Sequence, residues 1–280
     1  MPAYTDNILL KLGEIEKAEG KLPSLLEFYR KLLRIQIRVG QQISLPNPIF
    51  TPEAVRAHAL AGKPLVGFNE LTIDWPLLRR IFLEAKELFR EYNSLFGSLP
   101  EEVAGLNPGQ IINKRTVRAW YRGIPIELKS EITDAVQILL GAILGAAIKP
   151  FLLKEAESLR SLLEMEMWRR GYCPICGGNP DFAYLAKDTG ARWLVCSRCD
   201  TEWLFQRLQC PYCDNADQTK LSFYTNENGT YRLYVCERCK HYIKAIDLRQ
   251  SKDIILTPLE RLLTLDLDRQ AQEKGYSPCA

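Results

Sequence analysis

The 280-residue chain carries 37 basic and 34 acidic side chains, a formal net charge of +3, with 46 % hydrophobic and 25 % charged residues. That composition excludes a disordered or collagen-like chain, and so small a charge imbalance argues against a polyanion as the main partner. The length allows one to three domains with a sizeable apolar core. The unusual feature is nine cysteines against two histidines, His58 and His241.

The opening Met1-Pro2-Ala3-Tyr4-Thr5-Asp6 has no basic stretch, and Lys11, Glu14 and Glu16 interrupt any apolar core of an export signal. No twin arginine stands near the start. Residues 1–170 contain no cysteine and show helical periodicity. Leu22 to Gln42 sets Leu25, Leu26, Tyr29, Leu32, Leu33, Ile37 and Val39 near one apolar stripe, with Arg30, Lys31, Arg34 and Arg38 facing away. Trp75 to Phe96 repeats the pattern through Leu78, Ile81, Phe82, Ala85, Leu88 and Phe89, with Asp74 as N-cap and Pro76 in the first turn. Leu45-Pro46-Asn47-Pro48 and Gly105-Leu106-Asn107-Pro108-Gly109 read as separators. A helical region from about Ile126 to Arg170 is expected to kink or break just before Pro150. Its apolar run, Ala135 to Ile148, is 14 residues long, short of the roughly 20 that a membrane span requires. Gly141 and Gly145 within it read as close packing in a core. The expectation is a cytoplasmic protein with no membrane span and with reduced thiols.

From Gly171 the pattern changes to short strands and turns. Ala183–Ala186 and Trp193–Val195 flank Asp188-Thr189-Gly190, and Leu221–Thr225 and Tyr231–Val235 flank Asn228-Gly229, a strong hairpin signal. Each hairpin runs into a cysteine pair. The four Cys-x-x-Cys pairs are Cys173/Cys176, Cys196/Cys199, Cys210/Cys213 and Cys236/Cys239, separated by 19, 10 and 22 residues. Two intervening residues let both sulfurs face one ion, and a hairpin carries the next pair back to complete a tetrahedron. The region therefore reads as a duplicated zinc-ribbon or rubredoxin-like unit with two mononuclear four-cysteine sites, the first pair with the second and the third with the fourth, a crossed pairing being the alternative. Gly177 suits the turn after its second ligand, whereas Asp214 and Asn215 suit theirs less well. Thioredoxin-type pairs would need a helix in an α/β setting. Disulfides do not suit a reducing compartment, and hairpin spacing favours a single ion over an iron–sulfur cluster.

Four thiolates accept iron or zinc alike and leave no open position for hydrolysis. No nucleophile triad, phosphate loop or dinucleotide fingerprint is present, so no enzyme is expected. His241 reads as a packing histidine rather than a spare ligand, and His58 as an ordinary helix residue. Lys114 to Arg122 mixes basic and aromatic residues but reads as a solvated face. Cys279 is left over. At the end, Thr257 is the expected N-cap of a last helix, with Pro258 in its first turn and Glu260 as capping-box acid. Leu259, Leu262, Leu263 and Leu267 form its apolar face, and Gly275 its stop.

The second half resembles the formate dehydrogenase accessory proteins of FdhE type. The resemblance rests on Cys173-Pro174-Ile175-Cys176-Gly177, Trp193-Leu194-Val195-Cys196-Ser197-Arg198-Cys199 with Thr201-Glu202-Trp203, and Arg207-Leu208-Gln209-Cys210-Pro211-Tyr212-Cys213. It continues through Cys236-Glu237-Arg238-Cys239-Lys240-His241-Tyr242-Ile243-Lys244 and a tail with Leu265-Asp266-Leu267-Asp268, covering about residues 165 to 278. Glu260-Arg261 departs from an expected pair of acids, and Asp200 and Lys240 stand where glycine often follows the second ligand. The resemblance implies a cytoplasmic assembly factor that binds the molybdenum- or tungsten-containing catalytic subunit of respiratory formate dehydrogenase, with iron as the associated metal.

The expected fold is α+β. A helical bundle (1–170) precedes two rubredoxin-like modules (171–208 and 209–249) and a C-terminal helical tail (250–280). Two ions per chain, iron by resemblance or zinc, are expected on Cys173, Cys176, Cys196, Cys199, Cys210, Cys213, Cys236 and Cys239. Eight thiolates against two divalent ions bring the formal charge from +3 to −1, so the weak positive count does not itself point to nucleic acid. Trp203, Tyr212 and Tyr242 are either client contacts or hairpin packing. A nucleic-acid-binding zinc ribbon and a rubredoxin-like electron carrier are the alternatives to a chaperone-like maturation factor. Oligomeric state is left open.

Overall fold

The computed structural model describes residues 2–44, 50–128, 132–164, 167–251 and 255–279. The separator Leu45-Pro46-Asn47-Pro48 lies outside the described residues. Helices come first: α1 (Pro2–Glu19), α2 (Ser24–Gly40), α3 (Pro52–Ala61), α4 (Trp75–Glu91), three single turns α5 (Asn93–Phe96), α6 (Glu101–Ala104) and α7 (Pro108–Ile111), then α8 (Lys114–Tyr121) and α9 (Asp134–Leu159). Strands β1 (Pro180–Leu185), β2 (Arg192–Cys196), β3 (Glu202–Phe205), β4 (Leu221–Thr225), β5 (Tyr231–Cys236) and β6 (Tyr242–Asp247) follow, and α10 (Thr257–Leu263) and α11 (Leu265–Glu273) close the chain. This is the expected α+β order.

Contacts divide the chain into two compact units, residues 1–46 with 68–154, and 47–67 with 155–280. The composition change near residue 170 is therefore not where the contacts divide. The segment 47–67 joins the cysteine-bearing unit through long-range backbone bonds that no local pattern encodes. Leu65 and Val66 donate their N–H groups to the carbonyls of Pro174 and Ile175 at 2.9 and 2.8 Å, and the Tyr172 hydroxyl donates to the Gly62 carbonyl at 2.7 Å.

In the first unit the apolar stripes behave as their spacing dictates. α4 is capped by Asp74, whose carboxylate accepts from the Leu77 N–H at 3.0 Å, and Leu78, Ile81, Phe82, Ala85, Leu88 and Phe89 are all buried. On α2, Leu26, Leu32, Leu33 and Val39 are buried as expected, and so are Phe28 and Gln36. Phe28 meets Phe89, Tyr92 and Phe96 edge-on or tilted, with ring centroids 4.7–5.6 Å apart, a geometry favoured by the ring quadrupoles.

α9 corrects two expectations. It begins at Asp134 rather than near 126, and it passes through Pro150 without a break. The stretch 134–162 is also long and apolar enough to cross a membrane by length and composition, contrary to the 14-residue estimate, and 56 % of its apolar window is buried within the fold. Trp120 of α8 packs against Gly145, where an added Cβ would lie 3.2 Å from the indole, and its Nε1 donates to the Gly141 carbonyl at 3.0 Å. The two glycines thus admit an indole, as core packing requires.

The second unit is built on one sheet in the order β3-β2-β1-β6-β5-β4. Each cysteine hairpin is a three-stranded antiparallel ribbon, and β1 and β6 join the two in parallel. The duplicated modules therefore share a single sheet, with β6 buried along its whole length. Phe182, Val195 and Ile246 form one core patch. Leu233, Val235, Tyr242, Ala271 and Tyr276 form another beneath α11.

The tail differs from the expected single helix. Leu256, not Thr257, occupies the N-cap position, with no side-chain bond. Glu260 is buried and accepts the Tyr231 hydroxyl at 2.6 Å. The helix breaks at Thr264 because the buried Lys244 ammonium donates to the Arg261 and Thr264 carbonyls and to the Asp268 carboxylate, at 2.9, 3.3 and 2.6 Å. Leu263 and Leu265 flank the break and are exposed.

Candidate metal centres

The four knuckles are copies of one backbone design. In each, the N–H of the residue after the second cysteine donates to the carbonyl of the first. These bonds are Gly177 to Cys173, Asp200 to Cys196, Asp214 to Cys210 and Lys240 to Cys236, at 2.8–3.2 Å. The N–H of the first cysteine returns to the carbonyl two residues beyond the second, at Gly178, Thr201, Asn215 and His241, at 2.8–3.0 Å. That fold-back demands a left-handed residue after the second cysteine. Gly177 meets it at φ 68°, and Asp200, Asp214 and Lys240 take φ 52–58°, the three non-glycine residues with positive φ among the described residues. An L side chain pays about 1–2 kcal/mol for this conformation, so the departures from glycine noted in the sequence are accommodated as strain without loss of the knuckle.

The hairpins bring adjacent pairs together. Cys173, Cys176, Cys196 and Cys199 form one cluster, and Cys210, Cys213, Cys236 and Cys239 the other, with all sulfurs of a cluster within 4.8 Å of one another. The adjacent pairing replaces the crossed alternative. Closest Sγ···Sγ distances are 3.5 Å in the first cluster and 3.6–3.7 Å in the second. Four sulfurs on a tetrahedron about 2.3 Å from a central ion stand about 3.8 Å apart, so the sulfur spacing fits one ion per cluster. Donors surround the sulfurs as they would thiolates. The Arg198 N–H lies 3.4 Å from Cys196 Sγ, the Thr201 hydroxyl 3.1 Å from Cys199 Sγ and the Asn215 amide 3.9 Å from Cys236 Sγ. Burial, reinforced by the neighbouring cysteines, pushes the Cys173 thiol up and the Cys239 thiol up to about 11; a cation is what can hold these groups ionised.

The clusters differ in access. The four cysteines of the first are all buried, whereas Cys213 and Cys239 of the second are half-buried. Arginines stand beside both, Arg192 buried and Arg261 partly buried. Arg261 forms ion pairs with Asp181 and Asp200 at 2.9 and 2.5 Å and donates to the Cys196 carbonyl at 2.8 Å. The departure at Glu260-Arg261 therefore ties the tail to the second knuckle. Arg192 is 2 % exposed, and burial pulls its pKa down to about 10; its sequence position gave no hint of this.

The other residues singled out from the sequence fall outside the sulfur clusters. The His241 Nδ1 lies 2.8 Å from the Cys239 carbonyl and its ring tilts against Tyr212. His58 Nδ1 lies 3.2 Å from the Pro64 carbonyl. Trp203 and Tyr242 are buried, so they are packing groups and not surface contacts. Trp203 donates to the Arg170 carbonyl at 2.9 Å and Tyr242 to Asp268 at 2.8 Å. The Tyr212 hydroxyl donates to the Pro180 carbonyl at 3.0 Å. Of the basic stretch at 114–122, Thr116, Val117 and Ala119 are buried, while Arg115 pairs with Glu127. Cys279 Sγ accepts from the Asn179 amide at 3.4 Å, and the tail before it is pinned by Ser277, whose N–H donates to the Lys240 carbonyl at 2.8 Å.

Comparison with known proteins places this architecture. The family model described as "FdhE, central domain" matches residues 172–207, which span the first cluster. An FdhE homolog of Aquifex aeolicus is 36 % identical over 274 residues, 95 % of this chain and 90 % of that protein. The chain belongs to the FdhE family. The Escherichia coli FdhE protein is 30 % identical over 112 residues, 39 % of this chain and 36 % of that one. The crystal structure of the FdhE protein from Pseudomonas aeruginosa matches 99 % of this chain and 92 % of its own length, with a TM-score of 0.61 at 24 % identity. That likeness shows the fold alone, and it extends the FdhE fold over the helical unit, where sequence motifs are weak.

Proposed function

We propose that this FdhE-family chain is a cytoplasmic, chaperone-like accessory factor in the maturation of respiratory formate dehydrogenase, binding the molybdenum- or tungsten-containing catalytic subunit. The observation that carries this reading is the 36 % identity to an FdhE protein along 95 % of the chain, joined to two complete four-cysteine clusters. In this reading the eight cysteines Cys173, Cys176, Cys196, Cys199, Cys210, Cys213, Cys236 and Cys239 hold two mononuclear ions, iron by family resemblance or zinc. Bound metal supplies folding free energy, on the order of 10 kcal/mol for a structural zinc site. The residues supply a closed tetrathiolate, which leaves no position for a substrate and supports a scaffold over an enzyme.

The test is anaerobic purification of the tagged chain from cells making formate dehydrogenase, with metal analysis and identification of bound proteins. The expected result is about two ions per chain and recovery of the catalytic subunit. One ion or none per chain would overturn the two-site reading. Absence of the catalytic subunit from metal-loaded preparations would overturn the client. A reversible loss of colour on reduction without client binding would favour electron transfer instead.

A further inference from the structure

The second cluster has a neighbour that the metal reading does not use. Arg192 belongs to β2, in the ribbon of the first cluster, where it pairs with Leu185 and Phe205. Its guanidinium is buried, and it meets no carboxylate among the described residues. Nη2 donates to the Gln206 and Gln209 carbonyls, the planar group faces the rings of Phe205 and Tyr234 at 5.2 and 5.7 Å, and Nε has no hydrogen-bond partner among the described residues. A buried cation left without an opposing charge costs several kcal/mol, and two carbonyls and two ring faces offset only part of that.

Two cysteines of the second cluster lie across a small shared cavity. Arg192, Cys210, Cys236, Tyr212 and Tyr234 line it together, and Gln209, which Arg192 grips, immediately precedes the ligand Cys210. We infer that Arg192 is a positioning residue for the second metal site, the buried counter-charge of its tetrathiolate and the clamp on the chain entering its first knuckle. This rests on the metal reading above. Four thiolates around a divalent ion carry a net −2, and around a trivalent ion −1. A fixed cation beside them favours the occupied site over four neutral thiols, and the divalent over the trivalent state. The first cluster differs, because its arginine, Arg261, is already neutralised by Asp181 and Asp200.

The experiment compares the full chain with R192Q and R192K, each loaded with zinc and challenged with a chelator, then loaded with iron for redox titration. The unmodified chain is expected to release two ions in a slow phase from the sealed cluster and a fast phase from the half-exposed one. R192Q should speed the fast phase about tenfold, leave the slow phase unchanged, and lower the midpoint potential of the second iron. R192K should restore the potential by keeping the charge. A merely structural role would leave the potential unmoved or shift R192K as far as R192Q, and either outcome overturns the proposal. Equal acceleration of both phases overturns it too. Should R192Q precipitate, R192K decides alone: a potential within reach of the unmodified value supports the counter-charge, and a large fall refutes it. Failure of the unmodified chain to hold metal would refute the metal reading itself and is read separately.

Discussion

The Gln36 side-chain amide donates to the Ala146 carbonyl at 2.9 Å, the acceptor that Pro150 four residues on has no N–H to serve. A buried glutamine on α2 thus repairs the helix that a proline would interrupt, which is why α9 runs on where the sequence predicted a break.

Replacing Gln36 with leucine should leave that carbonyl unpaired and cost about 1–2 kcal/mol. P150A in the same background should recover part of the loss, because the helix regains its own donor. Urea unfolding of the two single variants and the double variant measures the coupling. Simple additivity would dismiss the link.

The knuckle geometry predicts opposite effects at Asp214, which is exposed and held at φ 55°. D214G should be neutral or stabilise by up to about 1 kcal/mol, and D214V should cost about 1–2 kcal/mol. Thermal unfolding of metal-loaded protein reads both, and equal behaviour of the two variants would contradict the strain.

A close approach couples the two clusters. A Cβ on Gly171, two residues before Cys173, would lie 1.8 Å from the Pro211 carbonyl oxygen in the third knuckle. Something must move, and the expected casualty of G171A is the second metal, with the first retained; metal analysis of the purified variant decides it. Y212F removes the neighbouring bond to Pro180 and should cost about 1 kcal/mol.

Chelation should empty the half-exposed cluster of Cys213 and Cys239 before the sealed one. The order is read from C213S, which should abolish the fast phase of metal release and keep the slow one. Loss of the slow phase instead would reverse the assignment.

Proton linkage gives two further expectations. Zinc loading at pH 7 should release up to about four protons per ion, so affinity weakens as pH falls. In the metal-free chain, Cys239 keeps its proton up to about pH 11 when folded, whereas an unfolded thiol loses its proton near about 8.5. Between those values the unfolded chain binds fewer protons, so the metal-free fold loses stability as pH rises. Metal loading should abolish that alkaline limb, and pH-dependent melting of both forms tests it.

Much of the site was legible because its chemistry is local. Cys-x-x-Cys spacing sets two sulfurs on one turn, Asn228-Gly229 closes a hairpin, and Asp74 with Pro76 starts a helix, all from interactions within a few residues. Local reasoning failed where a distant side chain supplied the missing partner. Gln36 carried α9 past Pro150, and Lys244 split the tail at Thr264 by drawing on its carbonyls. Trp203 and Tyr242 illustrate the same limit, since an aromatic in a hairpin reads alike whether it faces solvent or a core.

The cysteine arithmetic determined by itself that this chain carries eight candidate ligands in four Cys-x-x-Cys pairs, because two intervening residues set both sulfurs on one turn. Only the tertiary structure decided that adjacent pairs converge, that β1 and β6 fuse the two ribbons into one sheet, and that segment 47–67 joins them. Those choices depend on pairing edges far apart in the chain, where burial and backbone hydrogen bonding outweigh local preference. The charge balance followed the same division. The sequence supplied the count of cations, and the fold buried Arg192, with no carboxylate partner among the described residues, beside a cluster of four sulfurs.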